Sequence, residues 1–257
     1  MLPRPRKRFG QHFLTDRHYL GRIVAAIDPR PGEAIVEIGP GTGLLTERLV
    51  PTLGHLHTVE IDRDLAAALR NRFPADQVTV HEADALDFDF ASLPAPLRVV
   101  GNLPYNVSTP ILFRIAALAG RVRDCTFMLQ KEVVDRMVAA PATSDYGRLS
   151  VMLQYRFAMH PLLRVPPGAF TPPPKVDSAL VRMVPLGPDR PVARDQDRFA
   201  AVVAHAFSQR RKTLRNATRG LVEASAFTAS GIDPGRRGET LSVLEFIALA
   251  DAATSSG

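Results

Sequence analysis

Gly101-Asn102-Leu103-Pro104-Tyr105-Asn106 follows directly on the apolar run Leu97-Arg98-Val99-Val100. An Asn amide, a proline-stiffened turn and an aromatic ring at the end of a strand suit the recognition of a planar, amino-bearing base. The amide and a nearby main-chain carbonyl accept hydrogen bonds from the amino group, and the ring stacks on the face of the base. Taken alone, the tetrapeptide Asn-Leu-Pro-Tyr is weak, because Asn and Pro are common turn residues. Its weight depends on what lies upstream.

Upstream stands Glu37-Ile38-Gly39-Pro40-Gly41-Thr42-Gly43. It follows an apolar run and opens a helical stretch. Glycines at such a turn let the backbone approach a ligand closely, and a helix N-terminus favours negative charge. The spacing is Gly-x-Gly-x-Gly rather than the Gly-x-Gly-x-x-Gly of dinucleotide folds, and no Gly-Lys-Ser/Thr follows, which excludes a P-loop. A purely structural turn is the bland alternative. Glu60 ends the next strand, about 20 residues on, where a carboxylate commonly grips ribose hydroxyls. Asp84 follows the third apolar run and is placed to accept from an exocyclic amine. Asn102 ends the fourth. Any one of these could be an ordinary cap or turn residue. Together they mark the carboxyl ends of successive strands, where open parallel sheets bind ligands. A nucleoside without a pyrophosphate fits, which points to S-adenosyl-L-methionine.

The elements that must hold these residues alternate. Strands are predicted at Ala34–Ile38, His57–Ile61, Val78–His81, Leu97–Val100 and Thr126–Leu129. Helices are predicted at Leu44–Leu53, Asp64–Phe73, Pro110–Ala119 and Lys131–Ala139. That alternation implies an α/β fold with a Rossmann-like, doubly wound, mostly parallel sheet. Ser150–Phe157, Leu162–Val165 and Ala179–Val184 also read as strands. The segment between Pro166 and Lys175 is too rich in proline for a helix or a central strand and is expected as a rigid extended loop. From Asp195 the character is helical, with helices predicted at Phe199–Phe207, Lys212–Ala224 and Ser242–Ala253. The expected division is 1–188 as a cofactor-binding catalytic domain and 189–257 as a small all-helical domain.

The chain has 257 residues, 46% of them hydrophobic, and a formal net charge of +6. No apolar run approaches the roughly 20 residues that span a bilayer, and no signal-peptide core follows the basic N-terminus, so a cytoplasmic protein with no membrane partner is expected. The single Cys125 lies in an apolar stretch and reads as a buried, inert thiol. Basic residues cluster at Arg4–Arg8 and Arg210–Arg215, a pattern shared by solvated surfaces and nucleic-acid contacts.

Several motifs carry a resemblance that runs nearly end to end. They are Lys7-Arg8-Phe9-Gly10-Gln11-His12-Phe13-Leu14; the Glu37–Gly43 turn; Glu60-Ile61-Asp62; Gly101–Tyr105; Tyr146-Gly147-Arg148-Leu149-Ser150-Val151; the segment from Phe170 to Ser178; and the segment from Phe207 to Leu214. In this combination the chain resembles the small-subunit ribosomal RNA adenine N6-dimethyltransferases, the kasugamycin-sensitivity family. The resemblance implies S-adenosyl-L-methionine contacts at His12, Leu14, Gly39, Gly41, Glu60, Asp84 and Asn102. It implies transfer of methyl groups to N6 of two adjacent adenosines in a hairpin near the 3′ end of small-subunit RNA. On that reading Asn102, Leu103, Pro104 and Tyr105 form the catalytic loop. The Asn102 side-chain oxygen and the Leu103 carbonyl accept the two N6 hydrogens, Tyr105 stacks on one face of the extruded base and Phe170 on the other. Arg6, Lys7, Arg8, Arg210, Arg211 and Lys212 become RNA contacts. No metal is expected. The partner would be small-subunit RNA in an immature 30S particle, met by a monomer. Two rival readings share the motifs: an erythromycin-resistance-type methylase of large-subunit RNA, and a small-subunit assembly factor in which methylation is secondary.

Overall fold

The computed structural model describes residues 11–209 and 211–254. The expected RNA contacts at Arg6, Lys7, Arg8 and Arg210 lie outside the described residues. The elements in chain order are β1 (Phe13–Leu14), α1 (Arg17–Ile27), β2 (Ile35–Ile38), α2 (Thr46–Leu53), β3 (Leu56–Glu60), α3 (Arg63–Arg72), β4 (Val78–Glu82), β5 (Leu97–Asn102), α4 (Ser108–Ala117), β6 (Val122–Gln130), α5 (Lys131–Val138), α6 (Arg148–Gln154), β7 (Phe157–Val165), β8 (Phe170–Thr171), β9 (Ser178–Pro185), α7 (Gln196–Ser208), α8 (Leu214–Ala217), α9 (Ala224–Ser230) and α10 (Val243–Thr254).

Residues through Val134 with Ala158–Pro185 form one compact unit, and Asp135–Phe157 with the chain from Leu186 form the other. In the first, seven strands run in the order β4-β3-β2-β5-β6-β9-β7. The pairs β3/β4, β2/β3, β2/β5 and β5/β6 are parallel, and β6/β9 is antiparallel. All four residues of β2 and the first five of β5 are buried, as expected of central strands covered on both faces. The order reverses between β2 and β5, and there the backbones come very close. A Cβ on Gly101 would lie 2.3 Å from the Ile38 carbonyl oxygen, so only glycine fits.

The sequence reading assigns no element to residues 17–27, where the structure has α1. Asp16 caps it by accepting from the His18 and Tyr19 N–H groups. Leu20, Ile23 and Ile27 form its buried stripe. β1 pairs antiparallel with β8, Phe13 opposite Thr171 and Leu14 opposite Phe170. The proline-rich segment therefore supplies a short strand outside the main sheet, tied to residues 13–14. Cys125 is buried in β6, where burial pushes its thiol well above the ordinary range.

Two predicted elements of the second unit differ. The expected strand Ser150–Phe157 is the helix α6 up to Gln154. Its start is locked by the Gly147 N–H donating to Ser150 Oγ, which in turn donates to the Arg136 carbonyl. Leu149, Val151 and Leu153 are buried at every second position, which is the alternation that reads as a strand, although the backbone is helical. The expected helix Lys212–Ala224 is only α8, four residues long. Gly220 at φ 78° ends the run, and a separate α9 starts at Ala224. The core of this unit includes Phe199, Val203, Leu214, Phe227 and Phe246. Tyr155 stacks on Phe199 at 4.3 Å between ring centroids, which brings the segment 135–157 together with the C-terminal helices. A boundary at 185/186 falls near the expected cut at 188, but a single cut does not describe the chain.

Candidate active site

A cavity of about 210 Å³ opens at the carboxyl ends of the central strands of the first unit. The sequence-predicted cofactor residues His12, Leu14, Gly39, Gly41, Glu60, Asp84 and Asn102 all border it, as do Leu103, Pro104 and Tyr105. The glycine turn forms one wall. Gly39, Gly41 and Gly43 all have positive φ (66°, 57° and 75°). A Cβ on Gly41 would come within 3.0 Å of the Phe13 ring, so the turn and β1 close on each other only because that side chain is missing.

Glu60 ends β3 and is 4% exposed. Its carboxylate accepts from the Gly41 N–H at 3.1 Å and from the Asp62 N–H at 2.9 Å, which ties the glycine turn to the strand end. Burial pushes its pKa up, against these hydrogen bonds. Asp84 accepts from the Leu86 N–H through Oδ1 at 2.9 Å. Asn102 ends β5, and its Nδ2 donates to the His12 carbonyl at 2.8 Å. That bond fixes the amide and leaves its oxygen as the acceptor. The Leu103 N–H donates to the Met128 carbonyl at 3.1 Å, which orients the following peptide. The Tyr105 hydroxyl is bonded to Ser178 Oγ, and its ring stacks on His12 at 5.5 Å.

Phe170 departs from expectation. It is 3% exposed, does not border the cavity, and packs in a core with Leu14, Leu20, Ile23 and Ala169. Its pairing with Leu14 across β1/β8 holds it there. In this arrangement it offers no face to a base. Arg211 and Lys212 are exposed residues of the second unit.

Among the bordering residues that the motif reading of single sites passes over, three bear on the chemistry. Glu37 ends in the cavity wall 2% exposed, with its Oε2 accepting from Thr46 Oγ1 at 2.6 Å. Burial, opposed by the Thr46 hydrogen bond and reinforced by the charge of Glu60, raises its pKa to about 7. The acid was legible as the first residue of the glycine motif. Ile61 is 45% exposed and borders the cavity, as an apolar surface for a planar ring would. Phe13 is the third.

Three carboxyl groups, Glu37, Glu60 and Asp84, border the cavity, with apolar side chains between them and, among the described residues, no Lys or Arg. A phosphate has no cationic partner there. Hydroxyls, amines and a cationic sulfonium do find acceptors, so the wall fits S-adenosyl-L-methionine. Among the described residues no group of three or more His, Cys, Asp and Glu side chains could hold a metal ion. None of their helices is long and apolar enough to cross a membrane.

A sheet of this order, with a glycine turn and acidic strand ends around one cavity at the reversal point, is the scaffold of Rossmann-like methyltransferases. Solved structures bear this out. A dimethyladenosine transferase from Plasmodium falciparum matches with a TM-score of 0.77 at 25% identity, covering 93% of this chain and 96% of that one. The 23S rRNA methyltransferase ErmE matches at 0.69 and 26%, covering 94% and 99%. The chain belongs to the ribosomal RNA adenine dimethylase family, whose model matches residues 3–255. A ribosomal RNA small subunit methyltransferase A of Aromatoleum aromaticum is 62% identical over 246 residues, 96% of this chain and 93% of that protein. Its namesake in Laribacter hongkongensis is 58% identical over 249 residues, 96% and 95% respectively.

Proposed function

We propose that this protein is a 16S ribosomal RNA adenine N6,N6-dimethyltransferase. It uses S-adenosyl-L-methionine to dimethylate two adjacent adenosines in the 3′-terminal hairpin of small-subunit RNA. The family and the small-subunit name carried by relatives at 62% and 58% identity support it over the large-subunit alternative. The observation that carries the mechanism is the Asn102 amide, held through its nitrogen at the cavity wall.

When bound, the donor supplies an electrophilic methyl on sulfur. Glu60 would hold its ribose hydroxyls and Asp84 its exocyclic amine, with Ile61 against its base. His12, Leu14, Gly39 and Gly41 complete this half. The adenine amine of the substrate is a poor nucleophile, since its lone pair is delocalised into the ring. The Asn102 oxygen and the Leu103 carbonyl accept its two hydrogens and turn the lone pair out of the plane. Pro104 stiffens the loop, and Tyr105 stacks on the extruded base. In-line alignment supplies much of the acceleration. Held in line by these residues, the amine nitrogen would take the methyl as the donor's sulfur gives it up. The methylated nitrogen becomes acidic and releases a proton to water, so no residue acts as a strong base.

On this reading the protein works as a cytoplasmic monomer on an immature 30S particle, with RNA contacts at Arg6, Lys7, Arg8, Arg210, Arg211 and Lys212. The test is mass spectrometry of ribosomal RNA from cells with and without the gene. The expected result is loss of dimethyladenosine from the 3′-terminal hairpin of the small subunit. Unchanged small-subunit RNA, with modification lost from the large subunit instead, overturns the reading.

A further inference from the structure

We propose that Ser178 is a positioning residue for the acceptor base, acting through Tyr105. The inference rests on the reading above, in which the Tyr105 ring stacks on that base. Ser178 is fully buried at the start of β9. Its place is set by the sheet, opposite Gln130 of β6, and the adjoining Asp177 carbonyl accepts from the Lys131 N–H at 2.9 Å. From that anchored position its hydroxyl meets the Tyr105 hydroxyl at 2.6 Å. Tyr105 itself follows the strand end, in a loop that would otherwise leave its ring free to turn.

The ring is restrained on a second side as well. The His12 ring lies against it, with 5.5 Å between centroids and 29° between planes. His12 is in turn held, its Nδ1–H donating to the Pro172 carbonyl at 2.9 Å. One edge of Tyr105 is thus tied to β9 and one face is taken by His12. A planar base then has the opposite face on which to stack. Burial raises the pKa of the phenol, against the Ser178 hydrogen bond, so at neutral pH the hydroxyl remains a neutral partner for Ser178. The consequence is a stacking platform ordered before the base arrives. Immobilising such a side chain only on binding would cost affinity that the pre-ordered ring does not lose.

The test is a double-mutant cycle on the full-length protein. Ser178→Ala, Tyr105→Phe and the double variant are assayed with small subunits lacking the modification, reading kcat, KM for the subunit, and the ratio of monomethylated to dimethylated adenosine. Binding of S-adenosyl-L-methionine by calorimetry serves as the control for an intact fold and donor site. Each single change is expected to lower kcat/KM by about tenfold, as loss of one hydrogen bond would. The monomethylated fraction should rise, and donor affinity should not change. The double variant should be no worse than the worse single one, because both remove the same contact. Multiplying losses, or a Ser178→Ala enzyme equal to the wild type, overturns the proposal. Tyr105→Ala separates it from the underlying reading. If removing the whole ring leaves kcat and KM unchanged, the stacking role of Tyr105 is wrong. If Tyr105→Ala is impaired while Ser178→Ala is not, only the positioning role of Ser178 fails.

Discussion

The Asn102 amide has two ends with opposite uses. Its nitrogen donates to the His12 carbonyl, a bond inside the protein, and on the proposed mechanism its oxygen accepts from the substrate amine. An alanine there removes the acceptor but leaves Glu60, Asp84 and the glycine turn in place. Asn102→Ala is therefore expected to lower turnover by about 10²-fold or more, the scale of losing a preorganised partner of the reacting group. Donor binding, measured by calorimetry, should persist at weakened affinity. Near-normal methylation by this variant would remove the role. His12 shows how much of a residue's work can lie in its main chain. Its carbonyl holds Asn102 whatever the side chain is, whereas its ring meets Tyr105. Only the first of these tolerates substitution freely.

At the level of elements, the β3/β4 edge carries a titratable face. His57 sits opposite Thr79 in the register, and Val59 opposite His81. His57 Nδ1 lies 3.2 Å from His81 Nε2, His55 is edge-on to His57 at 4.7 Å, and Phe88 lies against His81. Burial, with the neighbouring His55 and His81, lowers the His57 pKa from 6.5 to about 4, and burial lowers that of His81. Between pH 6.5 and 4 the unfolded chain binds the proton that folded His57 refuses. Stability from this group is thus present above 6.5 and is lost as the pH falls toward 4. Thermal unfolding across that window should show a fall that is shallower in His57→Leu than in the wild type. Parallel curves would mean that these histidines are solvated at no cost. Glu37, raised to about 7 in the neighbouring strand β2, where it lies opposite Thr58, works in the opposite sense, losing its contribution as the pH rises through that value.

At the scale of the whole molecule, the net charge of +6 suits a polyanionic partner, but its distribution decides what it does. The cavity wall is acidic, and the basic residues Arg211 and Lys212 are exposed elsewhere, in the second unit. On the proposed reading, donor binding and RNA binding are carried by different charges and should respond differently to salt. Neutralising Arg210, Arg211 and Lys212 is expected to reduce the salt slope of RNA binding by about 2 to 3, close to one per lost phosphate contact. Donor affinity should stay unchanged. Filter-binding titrations across a salt series measure this directly, and an unchanged slope would make the segment purely structural.

How much of this was legible in the linear chain follows from the range of the interactions involved. Strand and helix alternation, the glycine turn, Glu60, Asp84 and the Asn102 loop are local signals, and parallel-sheet topology sends every strand end to the same side. Glu60, Asp84 and Asn102 at the cavity wall could therefore be read from spacing, whereas His12 and Leu14 came from the family resemblance. The errors lie where local pattern and tertiary contact disagree. Ser150–Phe157 alternates like a strand, yet the Gly147 and Ser150 bonds start a helix there. Phe170 sits in a motif that suggests a stacking ring, yet pairing with Leu14 turns it into the core. Residues 135–157 precede a strand of the first unit but pack with the second. By itself the sequence determined the class of fold, the order of the acidic and glycine-bearing strand ends, and the family. Only the tertiary structure decided which amide atom Asn102 keeps free, that Ser178 and His12 restrain Tyr105, and that Phe170 is unavailable. Those outcomes depend on contacts between residues 73 to 160 positions apart, about which local spacing carries no information.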